Sequence, residues 1–204
     1  MPLIHTLMKD TSYKPADLDA VSVASGPGSF TGLRIGVSTA RAMAQGLNIP
    51  AVGINTLMAL ANIFPVPKVL ICPIMDARKQ QVYTAVYQYP SVSQFTPPLP
   101  KPLLSPTAIA IDELLNFLMK FSEPVLFPGD GLPVYQNIIQ KALEERYYPL
   151  PCSHTFQRSS LVAWCAWKKI VSGETPTSYL ELKPEYLRAS EAERKRNNTQ
   201  PGNK

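Results

Sequence analysis

Gly26-Pro27-Gly28-Ser29-Phe30-Thr31-Gly32-Leu33-Arg34-Ile35-Gly36 is the stretch on which the reading turns. Just upstream, Leu18-Asp19-Ala20-Val21-Ser22-Val23-Ala24-Ser25 alternates as a strand does. Downstream, Leu33, Val37, Ala40, Ala44 and Leu47 recur at steps of four, three, four and three, which predicts a helix over 33–47. The glycines therefore occupy a strand-to-helix turn. Such a loop presents backbone N–H groups at a helix N-terminus, where anions bind. Gly26, Pro27, Gly28, Ser29, Phe30, Thr31, Gly32 and the following Arg34 are the candidate contacts for an anion or nucleotide. A purely structural turn is the other reading, and both stay open. Counting excludes two phosphate signatures. A Walker loop ends in Gly-Lys-Ser/Thr, but Gly32 is followed by Leu33. A dinucleotide fingerprint needs glycine five after the first, and Thr31 stands there.

Working outward, strands and helices alternate. Leu3, Ile4, Leu7 and Met8 form a helical stripe near the start. After the long helix, Pro50 to Ile54 reads as a strand and Asn55 to Phe64 as a helix stopped by Pro65. Lys68 to Met75 reads as one buried strand, and Gln81 to Gln88 as an alternating one joined to it by a hairpin at Asp76 to Gln80. Thr107 is the expected N-cap of a helix running to Phe121. Pro124 to Phe127 is a strand, Leu132 to Arg146 a helix, Ser159 to Val171 a helix, and Tyr186 to Arg188 a last short strand. Pro97-Pro98-Leu99-Pro100-Lys101-Pro102 reads as a polyproline-like connector. The alternation indicates an α/β protein. Tyr83, Tyr87 and Tyr89 fall on one strand face, and Trp164 and Trp167 on an amphipathic helix; packing is the expected role of all five. Asp76 and Arg78 are expected to form an ion pair in their turn.

Bulk properties narrow the class. The 204 residues are 45% hydrophobic and 17% charged, an ordinary globular balance. Three cysteines in no C-x-x-C spacing, with two histidines, argue against a disulfide framework or a zinc site and for a reducing, cytoplasmic setting. No apolar run is long enough to span a membrane. The net charge is +5, and part of it lies in a basic terminal segment, 189–204, with the composition of a solvated, disordered tail.

The eleven-residue block, continued by Val37-Ser38-Thr39-Ala40-Arg41-Ala42-Met43-Ala44 and Ile49-Pro50-Ala51-Val52-Gly53-Ile54-Asn55-Thr56-Leu57, resembles the hallmark of the TsaB (YeaZ) family. Met75 to Tyr87, Gly129-Asp130-Gly131 and Pro184-Glu185-Tyr186-Leu187-Arg188 agree, so the resemblance runs from residue 1 to about 188. It implies an actin-like, sugar-kinase-like (ASKHA) two-lobe α/β fold, with 1–66 as the remainder of the first lobe and 67–188 as the second. It implies a scaffold subunit that pairs with a TsaD-like catalytic paralogue and a TsaE-like ATPase. Those partners transfer threonylcarbamoyl from its adenylate to the adenosine beside the tRNA anticodon, so tRNA is met through the complex. Homodimers through the same helical surface are also implied. Leu3, Leu7, Gly36, Thr39, Ala40 and Met43 are the expected partner-facing residues.

One comparison of residues bears on catalysis. The catalytic paralogues carry His-x-x-x-His on the helix after the glycine loop and next strand, two imidazoles on one face that bind a metal. Here those positions hold Thr56 and Leu60. The expectation is no catalytic residue, no metal and no cofactor. The family pattern also begins with three strands before the first helix, whereas Met1 falls at that helix. The first lobe is therefore expected to be truncated at its N-terminus and to leave a sheet edge open to mispairing. The alternatives are a glycoprotease-like metallopeptidase relative, which the absent histidine pair opposes, and a stand-alone nucleotide-binding enzyme, which lacks the first phosphate hairpin.

Overall fold

A computed structural model describes residues 2–90, 98–150, 156–174 and 178–188. The basic segment 189–204, together with Cys152 and His154, lies outside the described residues.

Two sheets organise the described residues. The first pairs β1 (Val21–Gly26) with β2 (Ala51–Asn55) in parallel, with Val21 opposite Ala51 and a register shift between Ala24 and Gly26. Between them runs α2 (Phe30–Leu47), the crossover that a parallel pair requires. Its buried residues Leu33, Val37, Ala40 and Ala44 are the periodic ones of the sequence. Asn48, in a left-handed conformation, closes the helix. Ahead of β1, helix α1 (Pro2–Thr11) buries none of its residues. After β2, Asn55 caps the short α3 (Thr56–Ala61), its Oδ1 accepting from the N–H of Leu57 at 3.0 Å.

The second sheet has six strands among the described residues. These are β3 (Leu70–Ile71), β4 (Ile74–Asp76), β5 (Gln81–Gln88), β6 (Lys101–Ala110), β7 (Val125–Leu126) and β8 (Tyr147–Tyr148). The order is β4-β5-β3-β7-β8, with β6 on β5. Helices α4 (Ile111–Leu118) and α5 (Leu132–Leu143) cover it, giving a core that includes Leu70, Ile74, Val86, Leu114, Phe127 and Ile139. Helix α6 (Ser159–Val171) returns to the first sheet: Cys165 and Ala166 pack with Val52, Ile54 and Ala59. Leu182 does the same with Val37, Ala40 and Ala51. Residues placed by sequence in a unit spanning 67–188 thus complete the packing of the first sheet. Helix α3 sits between the two, with Leu57 and Leu60 against Ile71 and Tyr87 of the second.

Several sequence expectations are corrected. Thr107 does not start a helix. It lies in β6, opposite Thr84 of β5, and α4 begins at Ile111. The partner strand decides: Thr107 and Ile109 suit a ladder, and β5 supplies one. Pro102, read as part of a connector, also belongs to β6. The single strand over 68–75 is broken at Pro73, which has no N–H for a ladder, so β3 and β4 are separate. The helix expected to reach Arg146 ends at Leu143. Tyr186 to Arg188 forms no strand. Trp167 is 46% exposed and lies tilted against Trp164, because the buried face of α6 consists of the small Cys165 and Ala166. Tyr87 and Tyr89 are buried as expected. Asp76 accepts from the Arg78 backbone N–H at 2.9 Å, an Asx-type turn bond where an ion pair was expected.

Candidate functional site

The glycine loop follows directly from β1. Ser25, Gly26 and Pro27 are buried, Gly28 is half-buried, and Ser29 and Phe30 reach the surface. Ser29 caps α2, its Oγ accepting from the Gly32 N–H at 3.3 Å. Gly26 has a φ of 137°, and a β-carbon there would press on the carbonyl oxygen of Glu185. Only glycine fits both constraints.

That contact introduces the segment the sequence did not connect to the loop. Residues 182–188 lie across the first sheet as a strap. The Glu185 N–H donates to the Ser25 carbonyl at 2.7 Å, and the Asn55 side-chain amide donates to the Glu185 carboxylate at 3.3 Å. Tyr186 stacks on Phe30 with ring centroids 5.0 Å apart, and Arg34 Nε donates to the Tyr186 hydroxyl at 3.1 Å. The Arg34 guanidinium carbon lies 4.0 Å from the Phe30 ring centroid, a cation–π contact. Arg188 then crosses to the second sheet, donating to the Ala77 carbonyl at 2.9 Å. Part of Arg34's capacity is spent on holding strap and loop together. A signal existed in the sequence, since Pro184 to Arg188 matched the same family pattern as the glycine block, but spacing alone could not join Arg34 to Tyr186, 152 residues apart.

Opposite the loop stands Gly129-Asp130-Gly131. Gly129 has a φ of 127°, and a β-carbon there would meet the Ile74 carbonyl, while the Gly131 N–H donates to that same oxygen at 3.1 Å. A cleft of about 350 Å³ is lined by Gly28, Ser29, Met75, Asp130, Phe156 and Gln157. Burial raises the Asp130 carboxyl above its ordinary range; its own backbone N–H opposes this and the Asp76 carboxylate adds to it. The Tyr135 hydroxyl donates to Asp76 at 3.2 Å, tying α5 to this corner.

The positions that hold histidines in the catalytic paralogues are interior. Leu60 is fully buried, and Thr56 is buried with its hydroxyl lacking a hydrogen-bond partner, as is that of Ser25. No cluster of three or more His, Cys, Asp or Glu suited to a metal occurs among the described residues.

The expected partner face divides. Leu3 is 86% exposed and Leu7 63%, and Ile35 of α2 is also open. Met43 lines an apolar groove of about 660 Å³ with Ile4, His5, Met8 and Leu47. Thr39 and Gly36 are half-buried, with Gly36 facing Val23 of β1. Ala40 is 4% exposed and packs into this chain's own core, since it lies on the α2 face that covers the sheet.

The family model described as TsaD, tRNA N6-adenosine threonylcarbamoyltransferase, matches residues 1–196. The tRNA threonylcarbamoyladenosine biosynthesis protein TsaB of Bacillus subtilis is 33% identical over 195 residues, covering 96% of this chain and 80% of that protein. The chain belongs to the TsaB family. Its Escherichia coli member is 35% identical over 92 residues, covering 43% of this chain and 39% of the relative. A tRNA N6-adenosine threonylcarbamoyltransferase of Nitratidesulfovibrio vulgaris is 33% identical over 94 residues, 46% of this chain and 26% of the enzyme. The solved structure of YeaZ from Pseudomonas aeruginosa superposes with a TM-score of 0.66 at 20% identity, covering 91% of this chain and 81% of that one. The family fold is thus the actin-like α/β fold expected from the glycine block.

Proposed function

We propose that this chain is a non-catalytic scaffold subunit in the assembly of threonylcarbamoyladenosine on tRNA. The observation that carries the reading is the α1–α2 face. α1 buries nothing, Leu3, Leu7 and Ile35 stand in solvent, and Met43 lines an apolar groove beside them. An apolar helical surface of this kind serves a partner better than water. A TsaD-like catalytic subunit is the partner, a TsaE-like ATPase joins the pair, and a second copy of this chain uses the same face when the catalytic subunit is absent. The buried Thr56 and Leu60, at the positions of the paralogues' histidines, support a scaffold role over a catalytic one. The glycine loop is held by its own strap, which supports a structural part for Gly26 to Gly32. Among the described residues, no helix is long and apolar enough to cross a membrane. Buried, unpaired Cys72 and Cys165 fit a reducing cytoplasm. The experiment is an omission assay with tRNA, threonylcarbamoyl-adenylate, the catalytic paralogue, the ATPase and this chain. Modified adenosine forms with the full set and falls at least tenfold when this chain is left out. Modification by this chain without the paralogue would overturn the reading.

A further inference from the structure

The hairpin between β4 and β5 turns through Arg78, Lys79 and Gln80, with φ of 62°, 54° and 56°. The turn is closed on itself. The Ala77 N–H donates to the Gln81 carbonyl at 2.9 Å, and the Gln81 N–H donates to the Arg78 carbonyl at 3.1 Å. At three successive left-handed positions glycine is the least strained residue. The sequence instead places two long cations and an amide there, all of them exposed. Strain kept at such a turn is accounted for by a use of the side chains. Neither cation pairs with a carboxylate among the described residues.

The strap carries the charge onward. Arg188 donates to the Ala77 carbonyl at 2.9 Å, beside Arg78. Two residues back along the strap, Tyr186 stacks on Phe30 and accepts from Arg34. Cations from three separate segments therefore stand in one row, from the start of α2 to the hairpin tip. The carboxylates around that row are already engaged. Asp76 accepts from the Arg78 N–H and the Tyr135 hydroxyl, and Glu185 accepts from Asn55. Burial draws Asp130 towards its neutral form. At the Arg34 end, Phe30 is 38% and Tyr186 43% exposed, an aromatic surface next to the cations. Beyond Arg188 the sequence adds Arg194, Lys195, Arg196 and Lys204.

We infer that Arg34, Arg188, Arg78 and Lys79 form a direct contact for the phosphate backbone of tRNA. Guanidinium and ammonium groups on an exposed ridge neutralise phosphates and release their counterions. Arginine adds paired hydrogen bonds to phosphate oxygens. The neighbouring rings favour a nucleic acid over an acidic protein, because unpaired bases stack on aromatic faces. None of Leu3, Leu7, Ile35 and Met43 belongs to the row, so the apolar face and the RNA contact are separate surfaces. The choice of RNA as the polyanion rests on the proposed place in tRNA modification. The contact itself goes beyond that role, since a scaffold needs no bond to the substrate.

Fluorescence anisotropy of a labelled, unmodified tRNA transcript, titrated with the full chain, tests this. The Kd should lie below about 100 µM in 50 mM KCl and weaken steeply with added salt. Arg78→Gly/Lys79→Gly removes two charges and gives the left-handed turn the residue it favours, so the fold is kept. The slope of log K against log salt should then fall by about 1.4–1.8. Arg78→Lys should keep the slope, and so should Lys141→Gln on α5. No binding by the unaltered chain would overturn the inference. An unchanged slope in the double glycine variant, with binding lost only on changing Arg194, Lys195 and Arg196, would overturn it too. The two proposals fail separately. Binding together with full modification in this chain's absence sinks the scaffold role alone, and an omission effect without binding sinks the RNA contact alone.

Discussion

Replacing Gly26 with alanine tests how strap and loop depend on each other. The backbone at Gly26 has a φ of 137°, outside what an L-residue adopts readily. Strain of that kind costs about 1–3 kcal/mol. The added β-carbon would also press on the Glu185 carbonyl, which is backbone and cannot rotate aside. Relief requires the strap to move, which breaks the bond from Glu185 N–H to Ser25 and that from Asn55 to Glu185. Each is worth about 0.5–1.5 kcal/mol net. Together the loss is about 2–6 kcal/mol, and for a chain of this size that lowers Tm by roughly 4–24 °C. Gly46→Ala is the internal control. Nothing lies within 4 Å of its β-carbon, and it sits inside α2, so alanine should stabilise by about 0.5–1 kcal/mol. Thermal unfolding followed by circular dichroism measures both, and limited trypsin digestion at Arg188 reports release of the strap. A Gly26→Ala protein that melts with the wild type and resists trypsin equally would refute the coupling.

Three further outcomes follow from the same geometry. Arg34→Ala and Tyr186→Ala should each destabilise by about 0.5–1.5 kcal/mol, with a positive coupling in the double variant, since the ring stack, the cation–π contact and one hydrogen bond are shared; additive losses by denaturant titration would argue against that cluster. Burial pushes the Cys72 thiol up to about 12 despite its hydrogen bond with Thr84, and burial likewise pushes Cys165 up to about 12. Neither should be alkylated at pH 8 until the chain is unfolded, and native labelling of either, read by peptide mass, would contradict their placement. Asp130 has a raised carboxyl pKa, so its neutral form favours the fold, and that contribution is lost as pH rises through the folded-state value. Asp130→Asn should therefore gain stability relative to wild type between acid and neutral pH, with the difference vanishing below the ordinary carboxylate range; a constant difference across the titration would argue against burial as the cause.

Much of this molecule was legible from periodicity. The steps from Leu33 to Leu47 gave α2 its buried face, and the alternation around Val21 and through Gln81–Gln88 gave the strands. What failed depended on partners distant in sequence. Thr107 looked like a helix cap because its neighbours allow a helix, and only the presence of β5 makes it a strand residue. Trp164 and Trp167 looked like core because large aromatics usually are. α6 instead packs through Cys165 and Ala166, which let it approach β2 closely. Ala40 shares one helix with partner-face candidates, yet its angle around the axis points it inward. The strap was the largest omission. Glu185, Tyr186 and Arg188 acquire their roles only when the chain folds back over Ser25, Phe30 and Ala77.

The most direct measurement is co-purification of this chain with the TsaD-like subunit of its host, read by gel filtration with light scattering. The scaffold account expects a stable one-to-one complex that is lost in Leu3→Asp/Leu7→Asp and retained in Arg41→Ala, because the apolar face carries the contact. A folded chain that elutes apart from the catalytic subunit, or a complex indifferent to charges placed at Leu3 and Leu7, would contradict it.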